Sequence, residues 1–370
     1  MDVLLNEPYY TGSHKYWADN LVKYSSHNFQ LVTMPGRYWK WRMKGSSIHL
    51  AQQFKDSKVE VDAVLCSSMM DVSLYKSLLS NELRGVPVLY YVHENQLTYP
   101  FSNNESRTQE EFHYGFTNYT SCLASDVVIF NSLYHKKQFL QALSALIKRL
   151  PDFTKASLES IARIENKSKV IYPGIDFELL NVFKVHRNRN RSLPPTLLWN
   201  HRWSHDKRPD LFYNLCKKLK EQNTDFRLIL LNDVKADNTG IFKKLKNEFG
   251  EFILHDGLIT TYHDYIKALH TADIIPVSSD HDFYGISVLE AIYCGVIPIL
   301  PRNKVYEEFF YGKDHDLFFY DGEDGFFELA KRILSDDLTL FDSSKIVEIH
   351  SIHNTMNKLD LCISNSCNLM

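Results

Sequence analysis

Residues 273–300 constrain the fold more than any other stretch of this chain. Asp273-Ile274-Ile275-Pro276-Val277 is a short apolar run that opens onto a polar cluster, Ser278-Ser279-Asp280-His281-Asp282. Phe283-Tyr284-Gly285 follows, and Ile286, Val288, Leu289 and Ile292 then recur at helical spacing. Cys294-Gly295 ends the helix, and Val296-Ile297-Pro298-Ile299-Leu300 reads as a buried parallel strand. The unit is strand, acidic loop, helix, strand. Gly285 lets backbone N–H groups at the helix start approach a ligand, and that helix start suits a diphosphate. Glu290, about one and a half turns in, can hold sugar hydroxyls. An ordinary αβ unit with a surface acid and a core-facing Glu gives the same pattern.

The alternation extends over the whole chain. Strands are expected at residues 3–5, 29–32, 61–66, 86–92, 127–130 and 169–172, then at 196–199, 226–231, 252–254, 273–277 and 296–300. Helices are expected near 208–222, 239–248 and 262–271. A helix also follows Thr11-Gly12-Ser13-His14-Lys15, and Asn131-Ser132 caps another. Between the halves, Arg187, Arg189 and Arg191 precede Pro194-Pro195, a composition that suits an interdomain connection. The expected fold is α/β, with two Rossmann-like doubly wound parallel-sheet domains facing across a cleft. The expected boundaries are 1–175, a linker 176–195, a second domain 196–341, and a C-terminal helix and tail 342–370.

With 370 residues the chain is large enough for two such domains, and its net charge of −3 provides no global basic field. Nucleic acid therefore has to be met by a local patch. Six scattered cysteines form no C-x-x-C pair, so neither a zinc site nor a disulfide framework is suggested. MDVLLNEPYY is too short and too acidic for a signal peptide, and no run of about 18 apolar residues is present. The expectation is a cytoplasmic protein without membrane contact, and no protein partner is evident.

Candidate site residues cluster at strand ends. Gly12 and Ser13 occupy the first strand's turn, where α/β folds meet ligands. Arg202 and Lys207 follow the first strand of the second half; with the helix start at Gly285 they can clamp a diphosphate without a metal. A solvated basic loop is the plain alternative. His93, at the end of the 86–92 strand, is a reasonable proton-handling group or a hydrogen-bonded structural histidine. Glu94 can orient His93, cap the next helix or face an acceptor. Arg37, Trp39, Lys40, Trp41, Arg42 and Lys44 alternate cations with aromatic rings and show no apolar period. They can meet phosphates and stack on unpaired bases, or form a partly buried aromatic loop.

Arg202-x4-Lys207, then Asp282-Phe283-Tyr284-Gly285-x4-Glu290-Ala291-x3-Gly295-x2-Pro298, resembles the C-terminal domain of retaining GT-B glycosyltransferases. Asp282 stands where that acid-x7-acid motif usually has Glu, one methylene shorter. Gly12-Ser13-His14-Lys15, Trp39-x-Trp41-Arg42, His93-Glu94-Asn95-Gln96-Leu97-x-Tyr99-Pro100 and Phe130-Asn131-Ser132 resemble the glycosyltransferase-like domain-containing proteins, a family that includes the tRNA-queuosine mannosyltransferases. The similarity runs over about residues 2–310. It implies transfer of mannose from GDP-mannose to queuosine in a tRNA anticodon loop, with retention and without a metal or other cofactor. His93 and Asp282 would be catalytic, with His93 beside the reacting sugar and Asp282 facing the donor sugar. Arg202, Lys207, Gly12, Ser13, Phe283, Tyr284, Gly285 and Glu290 would bind donor, Glu290 at the ribose. Arg37, Trp39, Lys40, Trp41, Arg42, Lys44, Glu94 and Asn95 would bind acceptor. Two other readings fit the residues: a GT-B transferase acting on a lipid or polysaccharide, and a non-catalytic tRNA- or nucleotide-sugar-binding protein.

Overall fold

The computed structural model describes residues 1–100, 109–151, 155–182, 193–231, 237–302, 304–310, 313–335 and 349–368. The chain divides into two compact units, Met1–Gly174 with His350–Met370, and Ile175–Ile349.

The first unit is a six-stranded parallel sheet, and Val, Leu, Ile and Tyr fill its strands because helices cover both faces. Its strands are β1 (Asp2–Tyr10), β2 (Asn28–Pro35), β3 (Ala63–Ser67), β4 (Val88–Val92), β5 (Val127–Phe130) and β6 (Ser168–Val170). Their spatial order is β2-β1-β3-β4-β5-β6, so the winding reverses between β1 and β3. Side chains alternate between two cores. Leu4, Val64, Tyr90 and Val128 face one side, and Val3, Leu5, Leu65, Leu89, Tyr91 and Ile129 the other. Helix α1 (Gly12–Tyr24) connects β1 to β2 and α2 (Trp39–Ser57) connects β2 to β3; α3 (Val72–Leu78), α4 (Gln109–Ala124), α5 (Leu133–Ile147) and α6 (Lys155–Asn166) follow. Ser132 caps α5 as its position suggests, accepting from the His135 N–H at 2.9 Å.

The second unit is also six-stranded and parallel. It contains α7 (Phe177–Asn181), β7 (Thr196–Trp199), α8 (Pro209–Glu221), β8 (Arg227–Leu231), α9 (Ile241–Phe249), β9 (Ile253–Gly257) and α10 (Tyr262–Thr271). Then come β10 (Ile274–Pro276), α11 (Ile286–Tyr293), β11 (Ile297–Pro301), β12 (Phe319–Tyr320) and α12 (Gly322–Ser335). The order β12-β11-β10-β7-β8-β9 reverses between β7 and β10. Ligands of doubly wound sheets bind outside the strand carboxyl ends at such a reversal. The loops after β7 and β10 carry Asn200–Arg208 and Val277–Gly285, the two motifs of the second half.

Two expectations change with the fold. The C-terminal helix expected within 342–370 belongs to the first unit: helix α13 (Ile352–Cys367) completes that unit's core with Ile352, Met356, Leu359 and Ile363. Its Asp360 accepts from Ser25 Oγ at 2.6 Å and from the Ser26 N–H and Oγ at 2.7 Å each. The linker 176–195 begins as α7, whose Phe177 ring packs 4.2 Å from that of Tyr293 inside the second unit. Residues 183–192, with the three linker arginines, lie outside the described residues.

Candidate active site

In the second unit, hydrogen bonds join the β7 and β10 loops. Ser278 Oγ lies 2.8 and 2.9 Å from the carbonyls of Lys207 and Arg208, and the Asp280 N–H donates to Asp206 O at 2.9 Å. Asn200 Nδ2 reaches Ser287 O at 2.8 Å and holds the start of α11 to the end of β7. Lys207 is buried, donating to Asp282 Oδ1 at 2.7 Å and to the His281 carbonyl at 2.7 Å, with Asp206 Oδ2 at 3.3 Å. Arg202 is different: its side chain is 57% exposed, with Asp206 at 3.3 Å. The two cations expected to form one clamp are therefore unlike, one closed into an ion pair and one open to solvent.

Asp282 also accepts from Tyr306 Oη. Burial alone would raise its carboxyl, but the Lys207 ammonium and neighbouring His201 outweigh that and hold it at about 2. Glu290 shows the opposite balance. Tyr262 Oη and Tyr265 Oη donate to its two oxygens at 3.0 and 2.8 Å, yet burial dominates and raises it to about 7. Gly285 has φ +88°, and an added Cβ would sit 3.0 Å from Tyr306 Cε1, which explains the glycine twice over. Phe283 and Tyr284 are buried; their rings pack on His281 and Phe309, so they shape the loop from inside. Asn200 Oδ1 and His201 Nε2 are buried polar atoms without a hydrogen-bond partner among the described residues. Such atoms at the sheet reversal suit a polar ligand.

In the first unit, Gly12 opens α1 with φ +51° and Ser13 is exposed beside it. The next residue, His14, turns inward, its Nδ1–H donating to both Glu7 oxygens at 3.2 and 3.3 Å. Glu7 is fully buried near the end of β1 and also accepts from the Tyr9 N–H at 2.8 Å. The His14 ring lies 4.3 Å from that of His93, which follows β4. Donor atoms of Glu7, His14 and His93 lie within 4.8 Å of one another, close enough for one divalent ion. The buried carboxylate is already compensated by imidazole and backbone, so the cluster satisfies itself without one. Neither Glu7 nor His14 stood among the expected site residues. The legible sign was the polar pair Asn6-Glu7 following the apolar run Val3-Leu4-Leu5 in the first strand.

The loop after β4 corrects one expectation. Asn95 is completely buried: its Oδ1 accepts from the N–H groups of Leu97 and Thr98 at 3.0 Å each, and its Nδ2 donates to Thr98 Oγ1. It builds the turn and is closed to an acceptor. Glu94 is half-buried, 3.5 Å from Gln96 Nε2. The stretch 37–44 runs into a helix rather than forming the alternative aromatic loop, the helix opening at Trp39. Trp39 opens α2 half-buried beside Tyr114, Met43 is buried, and Arg42 donates to Pro35 O at 3.1 Å. Trp41 is 73% exposed and Tyr38, at φ +58°, is 68% exposed, among exposed Arg37, Lys40 and Lys44.

Comparison with known proteins adds the family. Residues 2–175 match the model described as tRNA-queuosine alpha-mannosyltransferase N-terminal, and residues 184–342 match Glycosyl transferases group 1. A Drosophila melanogaster protein named tRNA-queuosine alpha-mannosyltransferase is 31% identical over 315 residues, 83% of this chain and 81% of that one. The chain belongs to the tRNA-queuosine α-mannosyltransferase family. It is a glycosyltransferase of the GT-B fold class. Sucrose-phosphate synthase from Thermosynechococcus elongatus has a similar structure, with TM-score 0.69 at 14% identity and full coverage of both chains. HepE of Anabaena, solved with UDP and glucose, gives 0.65 at 14% identity, covering 98% of this chain and 99% of that one. Among the described residues of the transferase, no helix is long and apolar enough to cross a membrane.

Proposed function

We propose that this glycosyltransferase moves mannose from GDP-mannose to queuosine in a tRNA anticodon loop, with retention at the anomeric carbon. One observation carries the reading. The queuosine-specific model covers the unit that holds His93 and an exposed basic–aromatic helix start, while the general transferase model covers the unit with the β7 and β10 loops.

Donor is held by the second unit. Arg202 and the start of α11 stabilise the diphosphate as it leaves, because charge-assisted bonds and a helix start act where negative charge develops. Lys207 keeps Asp282 ionised and aimed, and Asp282 meets the donor sugar. Glu290 takes the ribose hydroxyls, with Tyr262 and Tyr265 fixing its carboxyl group. His93 handles the proton or hydrogen bond at the reacting sugar. The first unit takes the RNA: Lys40, Lys44 and Arg37 meet phosphates, and Trp41 stacks on an unpaired base. With diphosphate charge neutralised by protein groups, no metal enters the reaction. A cytoplasmic location fits a tRNA acceptor.

The test is incubation with queuosine-containing tRNA and a panel of nucleotide sugars in excess chelator, followed by nucleoside mass analysis. One added hexose on queuosine, from GDP-mannose only, is expected. Transfer from another donor alone, or only on adding magnesium or manganese, contradicts the reading.

A further inference from the structure

The first unit holds a buried polar group that the family motifs and the donor clamp leave unused. Glu7 is 0% exposed near the end of β1, yet carries a carboxylate, and a buried carboxylate persists only when compensated. Its compensation comes from the Tyr9 N–H and from His14. His14 in turn lies against His93, ring centroids 4.3 Å apart and planes inclined by 42°. The rest of the His93 surroundings is fixed as well. Trp17 meets the ring edge-on at 4.4 Å, Tyr91 lies at 4.7 Å, and Asn131 Nδ2 donates to the His93 carbonyl at 2.8 Å. Asn131 also bonds His135, 2.7 Å from Oδ1 to Nδ1. His93 Nε2 is left buried, without a hydrogen-bond partner among the described residues.

We propose that Glu7 and His14 are positioning residues for His93: Glu7 locks His14, and His14 locks the His93 ring with Nε2 ready for a substrate group. The inference rests on the reading of His93 as the group beside the reacting sugar. The chain of contacts has an electrical consequence. Burial disfavours the His14 cation, but Glu7, and more weakly Glu94, outweigh it and raise that imidazole. Burial, then His14, then His135 push His93 the other way, well below its ordinary value. Burial, reinforced by the raised His14 imidazole beside it, thus favours neutral His93, with a nitrogen that accepts.

Two substitutions test this in the full chain, Glu7→Gln and His14→Gln. His14→Gln removes the imidazole beside His93 directly, and Glu7→Gln takes away the partner that raises it. Histidine-labelled protein is titrated by NMR, with the His93 signals assigned through His93→Gln. The midpoint of His93 is expected to rise in His14→Gln and to move less in Glu7→Gln, where loss of the nearby carboxylate opposes loss of charge on His14; the acid limb of the kcat profile moves with it. At neutral pH kcat falls by about a hundredfold, the lower end of what a positioned proton-transfer group contributes, while KM for both substrates changes little. A merely structural role would lower the melting temperature and leave both midpoints in place. Unchanged His93 titration in folded His14→Gln overturns the inference. If the midpoint rises but wild type transfers no sugar to tRNA, the coupling stands and the functional reading falls. Should Glu7→Gln not fold, His14→Gln decides alone.

Discussion

Arg202 and Lys207 have the same charge and opposite situations, so their loss has different effects. Arg202→Ala removes an exposed cation and leaves the fold intact; donor affinity drops about ten- to a hundredfold, for a charge-assisted contact of roughly 1.5–3 kcal/mol. Lys207→Ala strands Asp282 and Asp206, and breaking a buried pair costs about 3–5 kcal/mol, so the melting temperature falls as well. Calorimetry with a nucleoside diphosphate sugar, alongside thermal denaturation, separates the two. Equal losses of stability would show that Lys207 is not the supporting residue. Glu290 yields a pH prediction. Its ordinary value is 4.5 and burial raises it to about 7, so the folded state holds more protons than the unfolded one between those limits. Stability therefore falls as pH rises through that window. Glu290→Gln, which cannot titrate, should gain stability relative to wild type from pH 4.5 to 7, measured by denaturant midpoints; a constant difference would contradict the raised value. The sequence made the acid-x7-acid spacing plain. It did not show the partners of these acids, because Tyr262, Tyr265 and Tyr306 reach them across 28, 25 and 24 residues of chain.

Helix α2 concentrates the acceptor question. Its first two turns carry only Trp39 and Met43 as apolar anchors, too few to read as a period, and these pack with Tyr114 and Met69, side chains that only the folded unit brings near. The remaining positions face solvent, and there Lys40, Trp41 and Lys44 offer charge and a stacking surface. Reversing charge at Lys40 and Lys44 together should weaken tRNA binding and flatten its salt dependence, since fewer counterions are released. Trp41→Ala should cost roughly 1–3 kcal/mol of RNA affinity with the salt slope kept. Filter binding across a salt series reads both effects, while donor affinity serves as the control. Identical affinities and slopes would remove α2 from the acceptor surface. The loop after β4 teaches the reverse lesson. Its motif residues looked alike as candidates, yet Asn95 is tied into the turn while His93, two residues earlier, keeps a nitrogen without a hydrogen-bond partner among the described residues. Spacing marks such a loop, and only hydrogen-bond accounting separates its builders from the groups left for a ligand.

At the scale of the molecule, the alternation of apolar runs with helical stretches was enough to give two parallel sheets, because parallel strands require crossover helices and right-handed winding. The owner of the last helix was not legible. Ile352, Met356, Leu359 and Ile363 specify an amphipathic face, but either sheet could have covered it. Since that face closes the first unit's core, deletion of residues 352–370 should leave the first unit unable to fold, seen as loss of its cooperative transition; retention of that transition would refute this packing role. The central claim, that the transferase acts on queuosine in tRNA, has its most direct test in acceptor discrimination. Labelled mannose from GDP-mannose is followed into queuosine-containing tRNA and into the same tRNA lacking queuosine. Label is expected in the first and none in the second. Equal labelling of both, or label in neither, would contradict it.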